Sequence, residues 1–120
     1  LLVANNTFWN ARYKATGVRN RSTAGAVVTN NIFAGAPVLA LDGPGTLTTN
    51  LRRAETGLKD PRGLDFSLLP TSAAIDAGTE LASVDPRLPV PLLEYVHPLA
   101  GRERLGVWTP DLGAYEFCGE

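Results

Sequence analysis

The feature that most constrains this chain is a short repeat. Leu2–Asn10 contains Asn5-Asn6-Thr7-Phe8, and Val27–Gly35 contains Asn30-Asn31-Ile32-Phe33, superimposable at a spacing of 25 residues. A weaker copy, Leu47-Thr48-Thr49-Asn50-Leu51, follows 19 residues later when Asn31 is matched to Asn50. Strand-like segments repeating at this interval point to a stack of thin coils, each unable to bury its own apolar face and stable only against its neighbours.

Within each copy the residues read as strand, bend, strand, with Val3 and Phe8 directed at a core. Asparagine tolerates left-handed backbone and bonds nearby peptide groups, so each Asn pair marks a sharp change of direction. Bends stacked in register bring their amides to about the 4.8 Å interstrand spacing. Asn6, Asn31 and Asn50 are the candidates for such a ladder. Asn5-Asn6-Thr7 and Asn20-Arg21-Ser22 also fit the N-glycosylation pattern, but an Asn committed to an internal bend is a poor acceptor. Residues 11–25 read as loops around a strand near Ala15–Val18, and Pro37–Leu41 as a buried strand closed by the Asp42-Gly43-Pro44-Gly45 turn.

Length and charge set the remaining bounds. The 120 residues suit one domain with a modest core. No apolar run approaches the roughly 18 residues of a membrane span. Cys118 is the lone cysteine, so no internal disulfide can form. Residues 1–58 hold six basic side chains against two acidic, and residues 59–120 hold five against ten. The asymmetry fits two readings, a repeat region that faces a polyanion or, preferred, a tail that packs back on the repeats and neutralises them. Opening directly on Leu1-Leu2-Val3, without a polar cap, reads as a fragment of a longer stack. An uncapped first coil predicts self-association through Leu1–Phe8.

After Leu58 the repeat stops. Asp60-Pro61 starts a turn, and Phe66, Leu68 and Leu69 are the apolar residues available to seal an open end. Thr71-Ser72 followed by Ala73-Ala74-Ile75 is expected to begin a helical turn ending at Gly78. Residues 79–110 are Pro-rich and irregular, and Asp111–Phe117 alternates as a final strand would.

These motifs together resemble a family of bacterial right-handed parallel β-helix proteins of the pectate-lyase-like superfamily, in the C-terminal segment called the choice-of-anchor Q region. The matching stretches are Asn30-Asn31-Ile32-Phe33, Asp60-Pro61 with Asp65-Phe66-Ser67-Leu68, Ser72-Ala73-Ala74-Ile75-Asp76-Ala77-Gly78, and Asp111-Leu112-Gly113-Ala114-Tyr115-Glu116. Gly101-Arg102-Glu103-Arg104 fits the family's Gly-x-x-Arg. Ala73 stands where the family has proline, Leu112 where it has isoleucine, and the aspartates usually found just before that glycine are absent. The resemblance implies an all-β fold: the last two to three coils of a right-handed parallel β-helix over residues 1–58, and an irregular C-terminal cap over 59–120. It also implies a secreted or surface protein, often associated with polysaccharide. No catalytic residues carry over, because the matched motifs are those that end the helix.

The residues themselves argue against chemistry in this stretch. A glycosidase needs two carboxyl groups facing one bond, and residues 1–58 offer only Asp42 and Glu55, on different coils. Asp76 and Asp111 sit in packing motifs, where turn-capping and pairing with Arg102 or Arg104 are the expected roles. A lyase needs a cation to neutralise a uronate and a base to take its proton. Arg12-Tyr13-Lys14 and Arg52-Arg53 are the right types to hold an acidic polysaccharide if they share one face; otherwise they form a solvated surface with Tyr13 half buried. His97 stands alone, so no zinc site is expected, and no calcium loop is present. Trp9 and Trp108 are read as packing aromatics rather than sugar platforms. No nucleic-acid motif is present, and the sequence pI is near 5.8. No cofactor is expected. The expected function is a structural or carbohydrate-binding end portion, with the end of a polysaccharide lyase whose site lies upstream as the alternative.

Overall fold

The computed structural model describes residues 1–89, 93–96, 99–104 and 109–119, and its regular structure is almost entirely β. The first eight strands make three passes of the chain. β1 (Leu2–Ala4), β2 (Thr7–Asn10) and β3 (Ala15–Arg19) form the first; β4 (Ala26–Thr29), β5 (Ile32–Gly35) and β6 (Val38–Asp42) form the second. The third has two, β7 (Gly45–Thr48) and β8 (Leu51–Arg53). Successive passes pair in parallel, giving sheets ordered β1-β4-β7, β2-β5-β8 and β3-β6.

The register reproduces the spacing of the repeat. Val3 lies opposite Val28 and Val28 opposite Leu47; Phe8 lies opposite Phe33 and Phe33 opposite Arg52. The step shortens from 25 residues to 19 for a local reason. Loops 11–14 and 20–25 of the first pass are replaced by 36–37 and 43–44 in the second. The bends stack as well: Asn5 and Asn30 both have φ +56° and Thr49 has φ +52°. A β-branched residue is uncommon there. Thr49 is held by its hydroxyl, which donates to Asn30 Oδ1 at 2.7 Å.

Strand alternation divides the apolar residues between two cores. Val18, Ala26, Val28, Phe33, Val38 and Ala40 fill the space enclosed by the passes, with Val3, Phe8 and Leu41 against them. The Phe8 and Phe33 rings stack there at 4.8 Å and 7°. Gly17 makes room for that column, since a Cβ on it would come within 2.5 Å of the Phe33 ring. Ile32 and Ala34, on the opposite face of β5, join Leu68, Ala74 and Leu112 in a second core. β5 is thus buried on both faces, as parallel sheets usually are.

The C-terminal half supplies that second core and differs in detail from its sequence reading. β9 (Leu58–Asp60) and β10 (Asp65–Leu68) form an antiparallel hairpin around a 3-10 turn at Pro61–Gly63. Residues 71–78 form turns rather than a helical turn, and the short helix is α1 (Leu81–Val84). β11 (Leu93–Val96) and β12 (Ala100–Glu103) pair antiparallel within the stretch expected to be irregular. Asp111–Phe117 is not a strand; it bends through Gly113, at φ +86°, to follow the sheet surface.

Among the described residues, the tail makes its contacts at the side of the stack. It packs sideways on β2 and β5, with Leu68 in the second core and Phe66 tilted against Trp9 at 6.5 Å, while Leu69 is exposed. Leu47, which continues the inward Val3–Val28 column, is left 54% exposed.

Candidate functional site

The basic residues divide between two settings. Arg12, Tyr13 and Lys14 form the turn after β2 and are all exposed, Tyr13 to 82%, so its expected half-buried packing is not found. Lys14, Arg52 and Arg53 meet at the walls of a cleft of about 470 Å³ that also includes Phe33, Val38 and Leu39, and among the described residues no acid lines it. Arg12 and Tyr13 are not among its walls. Consecutive strand residues leave opposite faces of β8, yet Arg52 and Arg53 both reach the walls of this cleft. Arg52 continues the inward Phe8–Phe33 column and donates from Nη1 to the Val38 carbonyl at 3.3 Å. Arg53 continues the outward Trp9–Ala34 column.

Asn6, Asn31 and Asn50 form a continuous amide chain through the bends. Asn31 Oδ1 accepts from Asn6 N at 2.9 Å and Asn6 Nδ2 at 3.1 Å; Asn50 Oδ1 accepts from Asn31 N and Asn31 Nδ2, both at 3.0 Å. Asn31 Nδ2 also reaches Val3 O, and Asn50 Nδ2 reaches Val28 O. Every polar atom of the buried Asn31 amide is thereby matched, which is what burial of an amide requires. Asn31 is fully committed, while Asn6 at the exposed end of the chain bonds through its nitrogens.

The acids of the tail hold backbone. Asp111 Oδ1 accepts from Asp76 N at 2.7 Å and its Oδ2 from Phe117 N at 2.5 Å. Glu116 Oε2 accepts from Asp111 N at 3.0 Å, and Glu94 Oε2 from Glu116 N at 2.9 Å. The arginines pair with the glutamates, not with Asp76 or Asp111. Arg102 Nε lies 2.5 Å from Glu94 Oε1, and Arg104 Nη2 lies 2.5 Å from Glu116 Oε1. The second is an ion pair between two buried side chains. Arg104 also donates to the carbonyls of Asp111, Gly113 and Ala114. Burial raises the Glu116 carboxyl above its ordinary value; the Asp111 amide and Arg104 oppose this, and the Asp111 charge adds to it. Asp76 is exposed at φ +52° and contributes its amide, not its carboxylate.

One amide couples this network to the passes. Asn30 Nδ2 donates to Thr79 O at 2.6 Å and Asn30 Oδ1 accepts from Thr79 N at 2.9 Å, a side chain pairing with a peptide group as a strand would. Gly113 N donates to Asn30 O at 2.8 Å and Ala114 N to Thr7 Oγ1 at 3.1 Å. Reasoning from sequence missed Thr7, Asn30, Glu94 and Glu116 as anchors. Glu116 was visible inside a matched motif; Glu94 had no local signal, because its partners are 8 and 22 residues away.

Both glycosylation patterns fall on buried asparagines. Asn20 donates from Nδ2 to Ala24 O and Pro44 O, and Asn5 is 8% exposed with Oδ1 and Nδ2 of its side chain unpartnered. Trp9 is half buried against the second core. His97 and Trp108 lie outside the described residues. Among the described residues no three His, Cys, Asp or Glu converge as metal ligands, and no helix is long and apolar enough to cross a membrane. No protein-family model, curated protein or solved structure matches this chain.

Proposed function

We propose that this chain is the end portion of a right-handed parallel β-helix protein, secreted or displayed at a cell surface, and that these residues serve structure rather than catalysis. The observation that carries the reading is the use to which the charged groups are put. Asp111, Glu94 and Glu116 are occupied by backbone amides and arginines, and Arg52 turns inward onto the Val38 carbonyl. The in-register passes support the β-helix assignment, and the strong right-handed bias of parallel crossovers supports its hand. The parent is carbohydrate-associated in this reading, and the β1 edge at Leu1–Phe8 is a surface for self-association, read out by light scattering.

A second reading, the end of a uronate polysaccharide lyase with its site upstream, draws on the shared wall of Lys14, Arg52 and Arg53. The hydrogen bond that holds Arg52 on the Val38 carbonyl favours the structural reading. The deciding experiment is to incubate the chain and its parent with a panel of uronate polysaccharides and follow ultraviolet absorbance of the conjugated product. No cleavage by the chain is expected. Cleavage by the chain alone, lost in Lys14→Ala, would overturn the structural reading.

A further inference from the structure

One corner of the stack collects cations that no acid neutralises. Lys14, just before β3, meets Arg52 and Arg53 of β8 at the cleft of about 470 Å³. Among the described residues none of the three forms an ion pair, whereas Arg19, Arg102 and Arg104 pair with Asp42, Glu94 and Glu116. Like charges gathered at a concave wall raise a local potential that favours an anion. Arg52 is also oriented in advance. Its Nη1 donates to Val38 O at 3.3 Å, which holds the planar guanidinium at the wall and leaves Nε and Nη2 without an acceptor among the described residues.

The rest of the wall is apolar. Phe33, Pro37, Val38 and Leu39 are its larger residues, and Leu39 is 41% exposed beside the cations. Among the described residues no hydroxyl, amide or carboxylate side chain lines it. Several backbone groups there are already engaged. Gly35 N donates to Ala54 O at 3.1 Å, Ala36 N donates to Asn10 O at 2.8 Å, and Pro37 O accepts from Ala15 N at 3.0 Å. The neighbouring clefts differ, one carrying Thr16 and the other Thr48, Thr49 and Asn50.

We propose that this cleft binds a small amphiphilic anion, a carboxylate carried on an aromatic or aliphatic body. The carboxylate takes the free guanidinium nitrogens of Arg52, with Lys14 and Arg53 adding charge, and the apolar body lies on Pro37 and Leu39. The volume of about 470 Å³ is within the range of small-molecule sites, which combine apolar walls with a few polar groups. A sugar acid fits less well. Its hydroxyls would leave water for a wall of cations and apolar groups with few free acceptors, and unmet hydroxyls cost affinity. A bare inorganic anion would leave the apolar wall in water. Unpaired cations beside an apolar wall therefore select the amphiphile.

The test titrates cinnamate into the 120-residue chain and follows backbone amides by NMR. Saturable shifts are expected at Gly35, Ala36, Val38, Leu39 and Ala54, with a Kd of about 1 mM or below for a ligand of this size. Lys14→Glu and Arg53→Glu should each weaken binding about tenfold. Both residues are exposed, so the fold is retained. Arg21→Glu makes the same change of charge at an exposed position outside the cleft and should leave binding within about twofold. Cinnamamide, which lacks the charge, and acetate, which lacks the ring, should each bind about tenfold more weakly or worse. Four results would overturn the proposal: no saturable shift at tenfold above the expected Kd, shifts elsewhere, acetate or cinnamamide binding as well as cinnamate, or equal losses in Lys14→Glu and Arg21→Glu. So would galacturonate binding more tightly than cinnamate, which would assign the cleft to acidic sugar. Each of these leaves the structural reading of the passes and tail intact, because it concerns the cleft and not the buried network.

Discussion

Thr7 Oγ1 accepts the backbone amide of Ala114, 107 residues away, at 3.1 Å. Beside it, Gly113 donates its amide to Asn30 O, so one short turn of the tail bonds the first and second passes together. A Cβ on Gly113 would lie 2.6 Å from Thr7 Oγ1 and 2.7 Å from Ile32 Cδ1, at a φ of +86° that suits glycine. The tail is therefore a lateral clamp across the stack, and its tightest point has no room for a side chain.

Gly113→Ala should destabilise the chain by about 2–4 kcal/mol, combining backbone strain with a clash against a packed core. Thr7→Val, which keeps the shape and leaves the Ala114 amide without its acceptor, should cost about 1–2 kcal/mol. Urea unfolding of both and of the double variant checks this, and the double should cost less than the sum because the two residues share one contact.

Asn31→Ala should cost about 2–4 kcal/mol, since it removes a buried amide and strands the Asn6 amide and the Val3 carbonyl. Asn50→Ala should cost less, about 1–2 kcal/mol, because Asn50 ends the chain of amides and is half buried. Equal effects in denaturant titration would contradict the ladder as the source of the difference.

Asp111→Ala should release the tail rather than the passes. It removes the acceptor for the amides of Asp76 and Phe117, at about 2–3 kcal/mol for charged hydrogen bonds lost in a buried setting. Hydrogen exchange should show protection falling at residues 111–117 while β4 and β5 stay protected.

The pH profile should carry opposing slopes. Burial raises Glu116 above the ordinary glutamate value of 4.5, so its ionisation penalises the folded state as pH rises from that value through the folded one. Asp85, hydrogen-bonded by Arg87, is lowered from 3.8 to about 2, so its contribution is present above 3.8 and lost as pH falls toward 2. Glu116→Gln should flatten stability against pH above 4.5, and Asp85→Asn should flatten it below 3.8. Unfolding at a series of pH values tests both signs.

The sequence alone determined the passes. An Asn-Asn-x-Phe repeat encodes bend, strand and inward aromatic within a few residues, and stacking requires only that like positions meet; the spacings of 25 and 19 residues reappear unchanged as strand register. Tertiary structure decided the rest. Whether Arg52 and Arg53 act together depends on the pleat of a strand whose bounds the sequence left loose. The pairing of Arg102 with Glu94 and Arg104 with Glu116 depends on a hairpin that brings distant residues together. Where the tail lies depends on which apolar face remains open once the passes have stacked. Local patterns fix backbone direction, because bend and strand preferences act between neighbours. Partners across the fold are chosen by burial and charge only when the chain has closed.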